Sequence, residues 1–221
     1  MKDLINLKLF EKIRDKEIAY ILGLLWADGH VTFANNNAKT PIIKHTAKNS
    51  DNIIFKEILK FSGKWNSFQY KNVGSYAKTP NTISVNWVSN RNFGQFLINN
   101  QYRNKTQSPE IILEKIPIEL KSYWFRGFFD GDGSVTIKNK GHHSIAFTGN
   151  EKQDWGFVVD LFNNIDIKNY KIRIVCSRRG KSSQIRITNK KDLQKFENYI
   201  YSDFDDYQLG LLRKRIQFKN L

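Results

Sequence analysis

The spacing of apolar residues switches between helical and alternating several times along the chain. Apolar positions three and four apart predict helices over residues 16–28, 49–63 and 91–101, and again over 118–132, 151–165, 190–202 and 208–221. Alternating segments predict strands near residues 31–35, 42–48, 66–71 and 82–89, and again near 134–138, 144–148, 171–177 and 184–188. This mixture of elements indicates an α+β fold.

The order of these elements is the same in both halves of the chain. Markers in equivalent places, about 100 residues apart, are Gly29 and Gly133, Asn49 and Asn150, and Asn90 and Asn189. The asparagines stand where N-caps of helices are expected. A duplicated αββαββα unit is the simplest explanation. We therefore expect an N-terminal repeat over residues 1–104, a linker over 105–117 and a C-terminal repeat over 118–221.

Each predicted sheet has an apolar face and a polar face that is poor in acids. Lys, Arg, Gln, Asn, Ser and Thr supply the donors and acceptors that contact phosphates and base edges. An ordinary solvated face explains any single position, but the repetition in both halves favours nucleic acid. The candidate DNA-binding residues are Thr32, Asn36, Lys44, Gln69, Lys71, Ser84, Asn86, Ser134, Thr136, Lys138, Lys171, Arg173, Arg178, Arg179, Gln184 and Arg186.

The charge of the chain strengthens this interpretation. There are 36 basic and 21 acidic residues, a net charge of +15, which indicates a polyanionic partner. Solubility, or a genome rich in A and T, is the alternative explanation. A membrane surface fits less well, because no segment has the pattern of a basic helix with a wide apolar face.

Composition and segment lengths exclude several classes of protein. Hydrophobic residues make up 40% of the chain, so it is not a disordered protein as a whole. The longest apolar run, residues 21–27, is too short to span a bilayer, and no signal-peptide core is evident, so we expect an intracellular, non-secreted protein. Cys176 is the single cysteine, which excludes an internal disulfide, and we expect it to be buried in a strand.

Two segments, "YILGLLWADGHV" and "WFRGFFDGDGSV", end an apolar helix at Asp-Gly. Gly23 and Ala27 lie four residues apart, as do Gly127 and Gly131, so each pair shares one helical face. Small residues there allow two helices to approach closely. We expect the two segments to pack against each other as a central, pseudo-twofold helix pair, and Gly29 and Gly133 to end them in left-handed conformation.

This arrangement places two acids where folding alone does not favour them. Asp28 and Asp132 would be the last helical residues, where an acid is disfavoured by about 0.3–1 kcal/mol, and the pseudo-twofold adds repulsion between them. A divalent cation between the carboxylates, completed by backbone, phosphate and water oxygens, would offset both effects and suits Mg²⁺. The alternative is that each Asp-Gly pair is a simple turn.

The two segments resemble the LAGLIDADG motif of homing endonucleases, over residues 21–29 and 125–133. In that family the two-repeat members are monomers whose paired, saddle-shaped antiparallel sheets lie in the DNA major groove. The resemblance implies that Asp28 and Asp132 bind the catalytic metal, with the carbonyl groups of Ala27 and Gly131 as further ligands. Asp130, at another position of the motif, is left outside the metal set.

The resemblance also implies a lysine near each centre. Lys105 and Lys214 are the candidates, with a surface or phosphate-positioning role as the alternative. His30 is expected to be non-catalytic, since Ser134 holds the equivalent place.

The expected function is a site-specific, Mg²⁺-dependent endonuclease that cuts both strands of DNA at a long, partly asymmetric site. An RNA maturase, with intron RNA as a partner, or a non-cleaving DNA-binding protein is the alternative on the same scaffold. A domain cut from an intein is a second alternative. The paired acids favour cleavage.

Overall fold

The computed structural model describes residues 5–72, 81–138, 142–177, 180–202 and 209–218 of the chain. The helices are α1 Lys8–Glu11, α2 Lys16–Asp28, α3 Asn49–Lys60, α4 Arg91–Asn99, α5 Glu110–Lys115, α6 Lys121–Asp132, α7 Gly156–Asn164, α8 Lys190–Tyr201 and α9 Leu212–Phe218. The strands are β1 Gly29–Phe33, β2 Pro41–Lys48, β3 Asn66–Asn72, β4 Asn81–Ser89, β5 Gly133–Lys138, β6 His142–Asn150, β7 Tyr170–Ser177 and β8 Gly180–Ile187. A short 3-10 helix, Ile118–Leu120, precedes α6.

The strands form two four-stranded antiparallel sheets of the same topology. Their orders are β1-β2-β4-β3 and β5-β6-β8-β7. This equivalence confirms the α+β fold built from a duplicated unit. The limits of the two repeats and of the linker stay a prediction, and α5 lies inside the segment that was expected to be linker.

The predicted helix pair α2–α6 forms the centre of the molecule. A Cβ added to Gly23 of α2 would lie 2.8 Å from the carbonyl carbon of Trp124 in α6. Seen from α6, a Cβ added to Gly127 would lie 2.8 Å from the backbone nitrogen of Leu24. The backbones of both helices are therefore in contact at equivalent points, as the small residues predict.

Gly127→Ala is expected to lower the free energy of unfolding by about 3 kcal/mol, because the new methyl group meets main-chain atoms that cannot turn aside. Urea denaturation measures the change. Gly156→Ala is the matched control: the nearest atom to its Cβ is a side-chain oxygen of Asp154 at 3.1 Å, which can rotate away. Equal stability of Gly127→Ala and the wild type would contradict the close crossing.

Local capping predictions had mixed outcomes. Asn90 and Asn189 cap α4 and α8 as predicted, the first accepting a hydrogen bond from Phe93 N and the second from Lys191 N and Asp192 N. The predicted caps at Asn49 and Asn150 were wrong. Asn49 is already the first residue of α3, and no side chain caps that helix. The Asn150 side chain accepts from Lys152 N within a turn, and α7 begins only at Gly156. That turn docks on the segment expected to be the linker, since Asp154 N donates to Thr106 O.

Two further predictions concerned Cys176 and membrane-spanning helices. Cys176 is exposed on the edge strand β7, so its predicted burial was wrong. Within the described ranges, no helix has the length and apolar character needed to cross a membrane.

Candidate functional site

The C-terminal ends of α2 and α6 meet between the two sheets. Asp28 and Asp132 are the last residues of these helices, as predicted. Gly29 and Gly133 follow with φ of −76° and −78°, which is extended backbone, so the expected left-handed ending was wrong. Each chain leaves its helix directly into a strand. The glycines provide room, since a Cβ at Gly29 would lie 2.8 Å from Leu25 Cα.

Both carboxyl groups have raised pKa values. Burial, and then the charge of Asp28, raises the pKa of Asp132 to about 7. Burial is also the main cause that raises the pKa of the Asp28 carboxyl, and the charge of Asp51 adds to it. A Cβ added to Gly131 would lie 3.1 Å from Asp28 Oδ2, so the carboxylate of α2 lies directly over the last turn of α6. The ionised acids are thus held close together with too little solvation.

The two predicted lysines lie beside these acids. Lys105 Nζ donates to Ala27 O at 3.1 Å and to Gly29 O at the end of α2. Lys214 Nζ donates to Phe129 O, Asp130 O and Gly133 O at 2.6, 2.7 and 2.6 Å at the end of α6. Burial lowers the pKa of each lysine to about 8, while the neighbouring acids oppose that change. Ala27 O and Asp130 O are among the carbonyl groups that the last turn of a helix leaves without a helical donor, and the lysines supply one.

The lysines differ in their remaining hydrogen-bonding capacity. Lys214 directs three hydrogen bonds to carbonyl oxygens, which is the full number of donors of an ammonium group. Lys105 makes two such bonds. The two sites therefore have the same composition without being identical.

Two clefts open on either side of the helix pair. One is lined by Asp132 and Lys105 together with Ala27 and Gly29. The other is lined by Asp28 and Lys214 together with Gly131 and Gly133. Each cleft combines an acid from one repeat with the helix end of the other repeat. The candidate residues for catalysis and metal binding are therefore brought together in two equivalent groups.

A buried polar network supports the second cleft, and the sequence analysis did not find it. Asp130 accepts hydrogen bonds from Tyr20 Oη at 2.7 Å, Leu211 N at 2.9 Å and Tyr201 Oη at 3.3 Å. Arg126, which is 1% exposed, donates to Leu209 O at 3.1 Å. The network joins both central helices and α8 to the segment that precedes Lys214. An acid and a base four residues apart on one apolar helix were the available signal.

A second contact fixes α9 from the other repeat. Arg213 Nε and Nη2 donate to the two carboxylate oxygens of Asp51 at 2.8 and 2.6 Å. Asp51 lies at the start of α3 and is 7% exposed. Paired, two-point contacts of this kind hold orientation as well as distance. Lys214, the next residue, is thereby positioned by both repeats.

The second sheet has the polar open face that the sequence predicts. Opposite partners in its ladders share one face, and Ser134, Thr136, Lys171, Arg173, Gln184 and Arg186 all lie on the face away from the helices. Arg173 Nη2 donates to Gln184 Oε1 at 2.9 Å, and Arg186 Nη2 donates to Ser144 Oγ at 2.7 Å. The side chain of Lys138, and Arg178 and Arg179 as a whole, lie outside the described residues.

The first sheet differs from the prediction. Ser84 and Asn86 are fully buried against α3, where Ser84 Oγ donates to Asn49 Oδ1 at 2.9 Å and Asn86 Nδ2 donates to Asn52 Oδ1 at 2.5 Å. Gln69 is on this same covered face and donates to Asn49, and Lys71 shares that face by alternation. The polar face was therefore assigned to the wrong side of β3 and β4, because the start of α3 that covers it is itself polar.

The remaining DNA-binding candidates of the first half lie on, or next to, the open face of the first sheet. Thr32 and Lys44 face away from the helices and are partly buried, and Asn36 is exposed in the turn between β1 and β2. Two exposed aromatic residues, Phe68 and Tyr70, occupy the open face of β3, where polar residues were expected.

The donor chemistry fits a divalent cation only if other oxygens take part. Among the residues that the structure describes, no group of three or more His, Cys, Asp and Glu side chains is arranged to hold a metal ion. Asp28 and Asp132 offer carboxylates, and the helix ends at Ala27 and Gly131 offer carbonyl oxygens. Mg²⁺ commonly keeps one or two carboxylates and takes its other ligands from phosphate and water. The site therefore fits a metal that is shared with a phosphate-containing substrate.

Comparisons with known proteins agree with this geometry. Residues 119–201 match the family model of the LAGLIDADG-like domain. A search of curated proteins found no match. The fold is similar to that of the homing endonuclease I-WcaI bound to its DNA recognition sequence, at 15% identity over 96% of this chain and 91% of that chain, with a TM-score of 0.62.

Two structures of I-DmoI are also similar. Mesophilic variants of this homing endonuclease match at 16% identity over 93% of this chain and 98% of theirs, with a TM-score of 0.57. I-DmoI in complex with its target DNA, nicked in the coding strand and in the presence of Mn, matches at 18% identity over 85% of this chain and 96% of that chain, with a TM-score of 0.55. At these identities the likeness shows a shared fold.

Proposed function

We propose that this protein is a site-specific endonuclease that hydrolyses both strands of double-stranded DNA with divalent metal. The observation that supports this most is the meeting of Asp28 and Asp132 at the ends of two crossing helices, between two open sheet faces. Burial disfavours both ionised acids there, and the charge of Asp28 adds to this at Asp132. Folding alone gives no reason for this pair, whereas a divalent metal that cleaves a phosphodiester is commonly held by one or two carboxylates.

In this proposal each cleft receives one scissile phosphate. Asp28 and Asp132 hold the metal, with the carbonyl groups of Ala27 and Gly131 as further oxygens. A bound divalent metal activates water and stabilises the leaving oxygen of a phosphodiester. Lys105 and Lys214 fix the helix ends and place positive charge beside the phosphate, where it stabilises the developing negative charge.

The open faces of the two sheets bind the DNA on either side of these clefts. A net charge of +15 favours association with the phosphate backbone. The similar fold of I-WcaI, bound to its DNA recognition sequence, supports this placement. Because one chain contains both halves of the site, we propose that the protein acts as a monomer on a partly asymmetric target, and that Mg²⁺ is its metal.

Cleavage of a randomised duplex library tests the proposal. The wild type with Mg²⁺ is compared with a metal-free reaction and with the Asp28→Asn/Asp132→Asn double variant. We expect enriched cut sites of about 20 base pairs that depend on both the metal and the acids. Tight binding of DNA or structured RNA without any cutting would instead support the non-cleaving or maturase alternative.

Metal should stabilise the folded protein most at alkaline pH. Without metal, Asp132 contributes its full stability below about pH 4, its ordinary pKa. This contribution is lost as the pH rises through the folded pKa of about 7. Because metal binds the ionised carboxylate, Mg²⁺ should raise the melting temperature more at about pH 8 than at about pH 5. Thermal melts of the wild type and the double variant check this, and an equal shift in both proteins would contradict it.

A further inference from the structure

The open faces of the two sheets have opposite chemistry at equivalent positions. In the second sheet, Arg173 and Gln184 face each other across β7 and β8 in line with Thr148 of β6. In the first sheet, Phe68 and Val85 face each other across β3 and β4 in line with Thr46 of β2. An apolar pair thus replaces a hydrogen-bonding pair.

The replacement continues along both strands. Tyr70 is opposite Ile83, and Trp87 is opposite Lys44 on the same open face. Phe68 and Tyr70 are 49% and 47% exposed, and their ring centroids are 6.5 Å apart. The neighbouring strand is well packed. Val85, on β4 between β2 and β3, is only 5% exposed, and Val88 on the covered face is fully buried. The result is an exposed apolar patch of Phe68 and Tyr70, joined through Ile83 to the cleft of Asp28.

Basic residues border this apolar surface. Lys44 and Lys48 lie on its β2 side, and Lys48 also lines the cleft that contains Asp28 and Lys214. An apolar surface could also bind a protein. The neighbouring cleft, which is proposed to receive a phosphate, favours DNA instead. A duplex whose backbone passes Lys44 and Lys48 would place base edges against the exposed side chains of Phe68 and Tyr70.

We propose that the first sheet reads its half of the DNA target through the C5-methyl groups of thymine, while the second sheet reads the other half through hydrogen bonds to guanine. In the major groove, the methyl group of thymine is the apolar feature that a base pair presents, and Phe contacts it well. Arginine instead donates to O6 and N7 of guanine. Arg173 and Arg186 lie on the open face of the second sheet, where guanine would compete with Gln184 and Ser144 for their donors. This inference rests on the proposed function and adds which bases each half of the target contains.

The test uses the duplex recovered from the library selection, measured in Ca²⁺ to follow binding. One set of duplexes has deoxyuridine in place of thymidine in one half-site at a time, which removes only the methyl group. A second set has 7-deazaguanine in place of guanine in one half-site at a time, which removes only N7. We expect one half-site to respond to the first change, by about fourfold in Kd for each contacted methyl group. The other half-site should respond to the second change, by about tenfold for a lost two-point contact.

Variants assign each half-site to its sheet. Phe68→Ser should remove the response to deoxyuridine and keep the response to 7-deazaguanine, and Arg173→Ala should do the opposite. Tyr70→Ser, a second half-exposed position, should weaken the deoxyuridine response as well. Phe61→Ser is the matched control, because Phe61 is 44% exposed but lies at the end of α3 away from the open face, and it should keep both responses.

The outcomes separate this inference from the proposed function. Tight binding with no response to deoxyuridine in either half, or a response that Phe68→Ser leaves intact, would overturn the inference alone. A selected target without thymine in the half read by the first sheet would also overturn it. If the wild type binds no duplex at all, the proposed function fails and the inference fails with it.

Discussion

Asp132→Asn is expected to abolish double-strand cleavage, lowering its rate by about a thousandfold or more, because the metal loses a charged ligand worth several kcal/mol to the transition state. DNA binding should persist, since the substitution removes a negative charge that faces phosphate. Folding should improve slightly above neutral pH, because the pKa of about 7 shows that the buried carboxylate is disfavoured when ionised. Cleavage assays, gel shifts and thermal melts on one preparation measure all three effects.

The controls for this experiment come from the same chain. Asp28→Asn should behave in the same way, as its equivalent in the other repeat. Asp166→Asn should cut normally, because Asp166 is exposed and paired with Lys195 and Lys168 away from both clefts. If Asp132→Asn cut both strands at the wild-type rate, Asp132 would not be the metal ligand.

Asp130→Ala should lower the free energy of unfolding by about 3–5 kcal/mol, although Asp130 is only two residues from Asp132. The substitution leaves Tyr20, Tyr201 and the Leu211 backbone nitrogen without their acceptor, and it removes the carboxyl group near the buried Arg126. Urea denaturation measures the loss. At temperatures low enough for the variant to fold, it should still cut DNA.

The contrast between the two acids makes this prediction decisive. Asp130→Asn should unfold more easily yet still cut DNA when folded, whereas Asp132→Asn should fold well and not cut. An Asp130→Ala variant as stable as the wild type would show that the network is unimportant for folding. A stable Asp130→Asn variant without activity would place Asp130 in the catalytic centre.

The parts of the fold that follow from local patterns were predictable. Helix α2 spans the predicted residues, and Asn90 and Asn189 cap their helices, because helical spacing and capping depend on near neighbours. Asn150 has the same type of side chain at an expected helix start, yet the turn after it docks on Thr106. A contact between distant segments therefore decided where α7 begins.

The site was predictable where repetition gave a signal. Asp28 and Asp132 stood out because each ends an apolar helix at an equivalent place, and the family resemblance then indicated Lys105 and Lys214. The Asp130 network was missed because its partners are 71 to 110 residues away in sequence. The open face of the first sheet was misassigned. Alternation of polar and apolar residues shows that a strand has two different faces, but it does not show which one is covered. The polar residues Ser84 and Asn86 are on the covered face, where they form hydrogen bonds to α3.

Each cleft is built from both halves of the chain, and this has a consequence if the two halves are produced as separate fragments. Each cleft takes its acid from one half of the chain and its helix-end carbonyl groups from the other. Two fragments divided within residues 105–117 would each lack a complete centre. Under the proposed function, neither fragment alone would cut DNA, so cleavage in a cell would require that both fragments be expressed and that they assemble.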